Sequence, residues 1–252
     1  MRLLVSPLEQ FAVLPFSAGH VPFFGNIKIL LLSNFSLTLA LVSLVFILVG
    51  NVLWRAESPI LSSFFFFFSL FYSFIVGLVR ENISRKGFYF FSYLFLLMSF
   101  LLTANLFSMV PYSFAITSHL IITLFLSFLT FFTAIALGFQ HHGMSFFGLF
   151  LPNGAPFALA PFLILIEIIS FFARLFSLAI RLFANIMSGH TLLKILAGFA
   201  WILFVQASSL VALVPFVVVF VITGLEIVIA FLQAYVFTVL TSIYFNEAVI
   251  LH

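Results

Sequence analysis

Between Lys86 and Glu167 the chain carries no Asp, Glu, Lys or Arg. No ordinary soluble domain leaves so long an interval uncharged, because charged side chains make up about a quarter of such a chain. Here they are 6% of 252 residues, against 65% hydrophobic ones, and mean hydropathy is +1.38. Most of the chain must therefore face lipid or other apolar segments. Hydrocarbon offers the backbone no hydrogen bonds, so a spanning chain forms helices or a closed barrel. The apolar runs are continuous rather than alternating, which selects helices and predicts an all-α membrane protein. The net charge of +3 is small and dispersed, which argues against nucleic acid as a partner. With no cysteine there is no disulfide framework, thiolate metal site or redox pair.

A helix needs about 20 apolar residues to cross the hydrocarbon core. Hydropathy then predicts an N-terminal segment over 1–28 and a single membrane domain over 29–252. Within that domain fall a first span at 29–53, an apolar run at 60–79 and a hairpin of spans at 88–110 and 116–138. A Gly- and Pro-rich loop follows over 140–161. Two long stretches, 161–196 and 206–247, exceed what a bilayer requires and must tilt, bend or lie partly across it. Arg55, Arg80, Arg85 and Lys86 should share the positively charged inner side. A crossing helix at 60–79 would separate Arg55 from the other three, so that run is expected to be interfacial or re-entrant. About five transmembrane helices plus this one result, with the N-terminal segment on the outer side and His141 and His142 inside. Glu9, Gln10, Pro15 and Pro22 interrupt any apolar core near the start, unlike a cleavable signal.

Against this background the charges in the long stretches stand out. Glu167, Arg174 and Arg181 recur every seven residues, so each is displaced by only about 20° from the last around a helix. Ser170 and Ser177 fall between them, and Asn185 and Ser188 continue the row. Each charge near a helix centre costs about 2.5–3.5 kcal/mol on an insertion scale, so three oppose insertion by roughly 8–10 kcal/mol. Two readings are open. The row could be an internal Glu–Arg pairing that pins helices together, or it could mark an ion pathway, the usual meaning of intramembrane ionisable residues.

The last stretch repeats the pattern with Glu226, Gln233 and Glu247, and Thr223 one turn earlier. It has acids and no cation. That suits proton handling, since a carboxyl can gain and lose a proton while arginine stays charged. His190 lies about 180° around the helix from Arg181 and could titrate near neutrality or serve as a hydrogen-bonded structural residue. Pro215 should bend the final helix, and Lys194 can snorkel to an interface. His141 and His142 are adjacent and diverge on a helix, so no metal site is expected. The Phe64–Phe68 run reads as lipid-facing bulk. No phosphate-binding Gly-Lys-Ser/Thr loop is present, so neither a nucleotide nor another cofactor is expected.

Ser177-Leu178 followed by Arg181-Leu182-Phe183-Ala184-Asn185-Ile186-Met187-Ser188-Gly189-His190 resembles the signature of subunit a of rotary F-type ATP synthases, and in particular their mitochondrial members. The similarity covers nearly the whole chain. Ser6-Pro7-Leu8-Glu9-Gln10-Phe11, Glu81-Asn82-Ile83 with Lys86-Gly87, Asn105-Leu106 with Met109 through Phe114, Pro161-Phe162-Leu163, Glu226, Gln233 and Glu247 through His252 all stand where that family has them.

The resemblance implies a multi-pass protein of the mitochondrial inner membrane. Such a subunit is not an enzyme by itself but a static proton-channel part of the ATP synthase, held among the other stator subunits and membrane lipids. Its two long tilted helices would lie against a rotor ring (the c-ring) whose subunits each carry a buried carboxylate. Arg181 matches the family's essential arginine between two aqueous half-channels. Asn185, His190, Glu226, Gln233 and Glu247 are implied to line the outer half-channel, and Glu167 and Arg174 the exit to the matrix. The family also lays the helix matching 60–79 along the membrane surface. Two departures are visible: Ser108 stands where bacterial members often have an acid, and 60–79 is less polar than the usual amphipathic helix.

Physical chemistry explains these residue types. Arginine keeps its charge and favours the ionised form of a passing carboxylate. The same fixed charge repels a proton crossing directly between half-channels. A membrane potential biases the motion by about 2.3 kcal/mol per elementary charge per 100 mV, coupling proton flow to ATP synthesis elsewhere. Two other classes remain as alternatives. A secondary transporter would show paired broken helices in two related halves, whereas the polar residues here crowd the last third. A non-conducting structural subunit would use the polar rows only for packing.

Overall fold

A computed structural model of the chain describes residues 6–20, 28–54, 59–82, 90–110, 113–150, 159–206 and 209–249. Pro22, Arg55, Ile83, Arg85, Lys86, Gly87, Pro111, Tyr112 and the terminal Ile250–His252, all used above, lie outside the described residues, as does 151–158 of the Gly- and Pro-rich loop. Apart from one short hairpin, the described elements are helical. They are α1 (Asn34–Trp54), α2 (Pro59–Asn82), α3 (Phe91–Ser108), α4 (Leu120–His142), α5 (Ala160–Gln206) and α6 (Ser209–Val249), with 3-10 turns at Pro7–Phe11, Ile116–Ser118 and Gly143–Phe150.

The expected first span begins later than hydropathy suggests. Lys28–Ser33 is a strand, β2, paired antiparallel with β1 (Pro15–His20). The helix starts at Asn34 because Ser33 and Ser36 cap it reciprocally. Ser36 N donates to Ser33 Oγ at 3.2 Å and Ser33 N to Ser36 Oγ at 2.9 Å, the two-way exchange of a capping box. Hydropathy alone does not distinguish a leucine-rich strand from the first turn of a leucine-rich helix.

The expected loop at 140–161 also holds ordered turns. Gly143 adopts φ 55°, a left-handed conformation that ends α4 and suits glycine. The 3-10 turn after it folds Phe146 back, and a Cβ at Gly138 would overlap the Phe146 ring.

Among the described residues, four helical segments are long and apolar enough to cross a membrane: Phe91–Ser108, Leu120–His142, Pro161–Val205 and Leu213–Val249. With 47 and 41 residues, α5 and α6 are about 70 and 60 Å long at 1.5 Å per residue. That is roughly twice the hydrocarbon thickness of about 30 Å, so neither can stand upright within it. Both expose large apolar side chains, among them Ile169, Phe172, Ile180, Phe216, Phe220 and Val228. Surfaces of this kind suit lipid or a protein partner rather than water.

The chain divides into two compact units. One comprises 1–55, 102–119 and 183–232. In it, Phe114, Ala115 and Ile116 are buried, and Phe35 meets Phe114 edge-on at 6.3 Å. The other comprises 56–101, 120–182 and 233–252. Its core gathers Ile75 and Val79 of α2, Leu94 and Met98 of α3, Ala134 and Leu137 of α4, and Phe245 of α6. Phe71 and Tyr72 of α2 interlock with Phe91 and Phe95 of α3. Small residues mark close helix approach, with Ala179 and Ala234 fully buried, as expected where lipid supplies no hydrophobic drive between helices.

Candidate functional site

In the first unit, α5 contributes Asn185, Gly189 and His190, α6 contributes Glu226, and the end of α3 contributes Ser108. Glu226 is 3% exposed. His190 stands between an acid and a hydroxyl: its Nδ1 lies 3.6 Å from Glu226 Oε1, and its Nε2 lies 3.3 Å from Ser108 Oγ. Ser108 Oγ donates to the Asn105 carbonyl at 2.6 Å. Its lone pairs therefore face His190, and the neutral imidazole carries its proton on Nε2, a tautomer assigned from this network. Nδ1 then presents a lone pair towards Glu226 Oε1, 3.6 Å away.

Neither Glu226 oxygen has a hydrogen-bond partner among the described residues, since 3.6 Å is ion-pair distance rather than hydrogen-bond distance. A buried, unsatisfied carboxylate is costly. A proton held on either Glu226 or His190 relieves that cost. Gly189 makes the approach sterically feasible, because a Cβ there would sit 2.6 Å from Glu226 Oε1. Asn105, fully buried, fixes the surroundings by accepting from Thr117 Oγ1 at 3.0 Å and donating to the Ala230 carbonyl at 3.3 Å, one turn beyond Glu226.

The second unit holds a different cluster. Arg174 Nη1 donates to Glu247 Oε2 at 2.9 Å, and Nη2 lies 3.7 Å from Glu167 Oε1. The three side chains are 36, 44 and 35% exposed in that order. Two carboxylates on one guanidinium leave a net negative charge. A cavity lined by Ser127, Thr130, Phe131, Leu178 and Tyr244 opens beside Arg174 and Glu247. The resemblance groups Glu247 with His190 and Glu226; in the structure it is bonded to Arg174, which also reaches Glu167.

Arg181 is exposed and makes no ion pair or hydrogen bond among the described residues. Ser177, Ile180 and Ala184 on its face of α5 are exposed as well. Asn185 and Gln233 are half-buried. His142 Nε2 lies 2.9 Å from the Val249 carbonyl, and His141 is exposed. No group of three His, Asp or Glu suited to a metal ion occurs among the described residues. Sequence reading treats Ser108 only as a missing acid. Its contact with His190 joins residues 82 positions apart, which no local pattern reveals.

A family model described as the ATP synthase A chain matches residues 31–246. The chain is 46% identical to an ATP synthase subunit a of Marchantia polymorpha over 256 residues, covering 98% of this chain and 99% of that protein. It is 40% identical to the subunit of Chondrus crispus over 256 residues, covering 99% and 98%. The Rhodospirillum rubrum subunit is 40% identical over 259 residues, covering 98% and 99%.

Proposed function

Because the chain belongs to the ATP synthase subunit a family, the proton-channel stator subunits of the membrane sector, we propose that it feeds protons to and from a rotor ring through two half-channels separated by Arg181. The observation that carries this reading is Arg181 itself, an exposed cation with no counter-charge among the described residues, set on a long, otherwise largely apolar helix beside the exposed Ser177 and Ala184. A charge so placed in a membrane calls for an anion from outside the chain. A rotor carboxylate supplies one, and loses it again as the ring turns.

In this reading His190 and Glu226 pass protons inward from the outer side. Asn185 and Gln233 line the same route. The Glu167–Arg174 pair leads to the matrix, and Glu247 joins it through its bond to Arg174. The start at Ser6–Phe11, similar to mitochondrial members, supports a place in the mitochondrial inner membrane. There α2 lies along the surface with Arg80 on the inner side. ATP formation occurs on other subunits of the complex, and this chain contributes no catalytic residue, metal or cofactor to it.

Arg181→Ala tests the proposal. The expected result is loss of ATP-coupled proton transport with the complex assembled, read in inner-membrane vesicles by ATP synthesis and by ATP-driven acidification. Retained coupling overturns the mechanism. Loss of assembly instead supports a structural role.

A further inference from the structure

The N-terminal turn Pro7–Phe11 has no part in the function just described, yet it touches the entry cluster. The Phe11 ring meets His190 edge-on, with centroids 6.3 Å apart and planes at 69°. The turn is firmly built. Ser6 Oγ accepts from Leu8 N at 3.3 Å, Pro7 occupies its first turn, and Ala12 N donates to the Glu9 carbonyl at 3.1 Å. Asn34, at the head of α1, clamps the chain just beyond it: Nδ2 donates to the Ala12 carbonyl at 2.9 Å, and Oδ1 accepts from Leu14 N at 3.0 Å. Phe11 is thereby held by α1 rather than by α5, the helix that carries His190.

His190 must meet two polar groups in opposite directions at once, Ser108 through Nε2 and Glu226 through Nδ1. Neither contact is short, and the ring can swing about χ1 and χ2 unless something bounds it. The groups that face it are Glu226 from α6, Ser108 from α3 and Phe11 from the turn. Glu226 is the titratable one among them, and Glu9, two residues before Phe11, is exposed. We propose that Phe11 is a positioning residue for the proton path: the N-terminal turn, anchored by Asn34, walls the His190 ring so that its two nitrogens stay aimed at Ser108 and Glu226. This rests on the reading of His190 and Glu226 as the outer entry.

The test uses the complete ATP synthase in membrane vesicles, with flux normalised to assembled complex and measured against outer pH. Phe11→Ala should slow proton entry measurably, up to the roughly 10²-fold that a misplacement of about 1 Å at a reacting group can cost. It should also shift the midpoint of the pH profile, since His190 loses its fixed relation to Glu226. Phe11→Tyr, which keeps the ring, should restore both. Asn34→Ala should move rate and midpoint in the same direction as Phe11→Ala, and it decides the matter if Phe11→Ala fails to assemble. His190→Ala is run in parallel. If His190→Ala is impaired while Phe11→Ala keeps the native rate and profile, the positioning role is overturned and the entry reading stands. A uniform loss of flux at unchanged midpoint in Phe11→Ala likewise overturns it. If His190→Ala is unimpaired, the entry reading itself fails.

Discussion

The two carboxylate clusters are made from similar residues and differ in burial. Glu226 is almost wholly enclosed, faces a histidine and has no Lys or Arg paired with it among the described residues. Glu167 and Glu247 are about two-fifths exposed and share the guanidinium of Arg174. In the first cluster the acid has no hydrogen-bond partner among the described residues, so an ionised form there is costly unless His190 carries a proton beside it. In the second, both acids share one guanidinium and all three side chains are partly exposed, so their interaction is open to solvent screening. Burial thus separates an enclosed acid from two that solvent can reach.

Replacing Glu226 with glutamine should break the comparison most severely. The amide keeps the shape but cannot exchange a proton with His190 Nδ1. Positioned acid–base groups contribute about 10²–10⁴ in rate, so proton entry should fall by about 10²-fold, measured as flux through the membrane sector with the catalytic head removed. A native rate at every pH would take Glu226 off the path. Arg174→Gln should act more gently. It leaves Glu167 and Glu247 without their cation, but exposed pairs of this kind are worth at most about 1 kcal/mol, or roughly fivefold. Its effect should shrink as ionic strength rises, because solvent-exposed charges are screened, whereas that of Glu226→Gln should not. Equal salt dependence in the two variants would erase the distinction between the clusters.

Much of this could be read without coordinates. The absence of charge from Lys86 to Glu167 was enough to place helices in a membrane, and heptad spacing put Arg174 and Arg181 on one row. What local pattern cannot carry is partnership across the chain. Arg174 and Glu247 are 73 residues apart, and both sit in helical rows whose periodicity says which residues share a face but not which face meets which. The family motif that carries Glu247 says nothing of its bond to Arg174 for the same reason: a residue's membership of a motif does not contain its neighbour. Ser33 was hidden differently. Leucines on both sides of it satisfy a helix or a strand equally, and the boundary was set by a reciprocal cap between two serines that hydropathy scores as noise. Gly189 was visible as part of a motif, but its reason, the closeness of Glu226, was not.

The smallest expected effect isolates what a partner does for a histidine. His119, at the end of the 3-10 turn before α4, is stacked on Phe114 at 5.2 Å, and its Nε2 is enclosed with no hydrogen-bond partner among the described residues. Burial holds its pKa below the ordinary 6.5. Well above pH 6.5 the ring is neutral folded or unfolded, and its neutral packing contributes in full. As pH falls through 6.5 the unfolded chain takes up a proton that the folded chain resists, so stability is lost towards the lower folded value. His119→Phe keeps a ring for Phe114, removes the unsatisfied nitrogen and abolishes that loss. The melting temperature of the complex should therefore fall less between pH 8 and about pH 5.5 in the variant than in the native protein, while proton flux stays unchanged. His190 has a polar group facing each ring nitrogen and His119 has none for Nε2, so a changed flux in His119→Phe would mean that enclosure alone, without an acid to exchange with, is enough to put a histidine on the path.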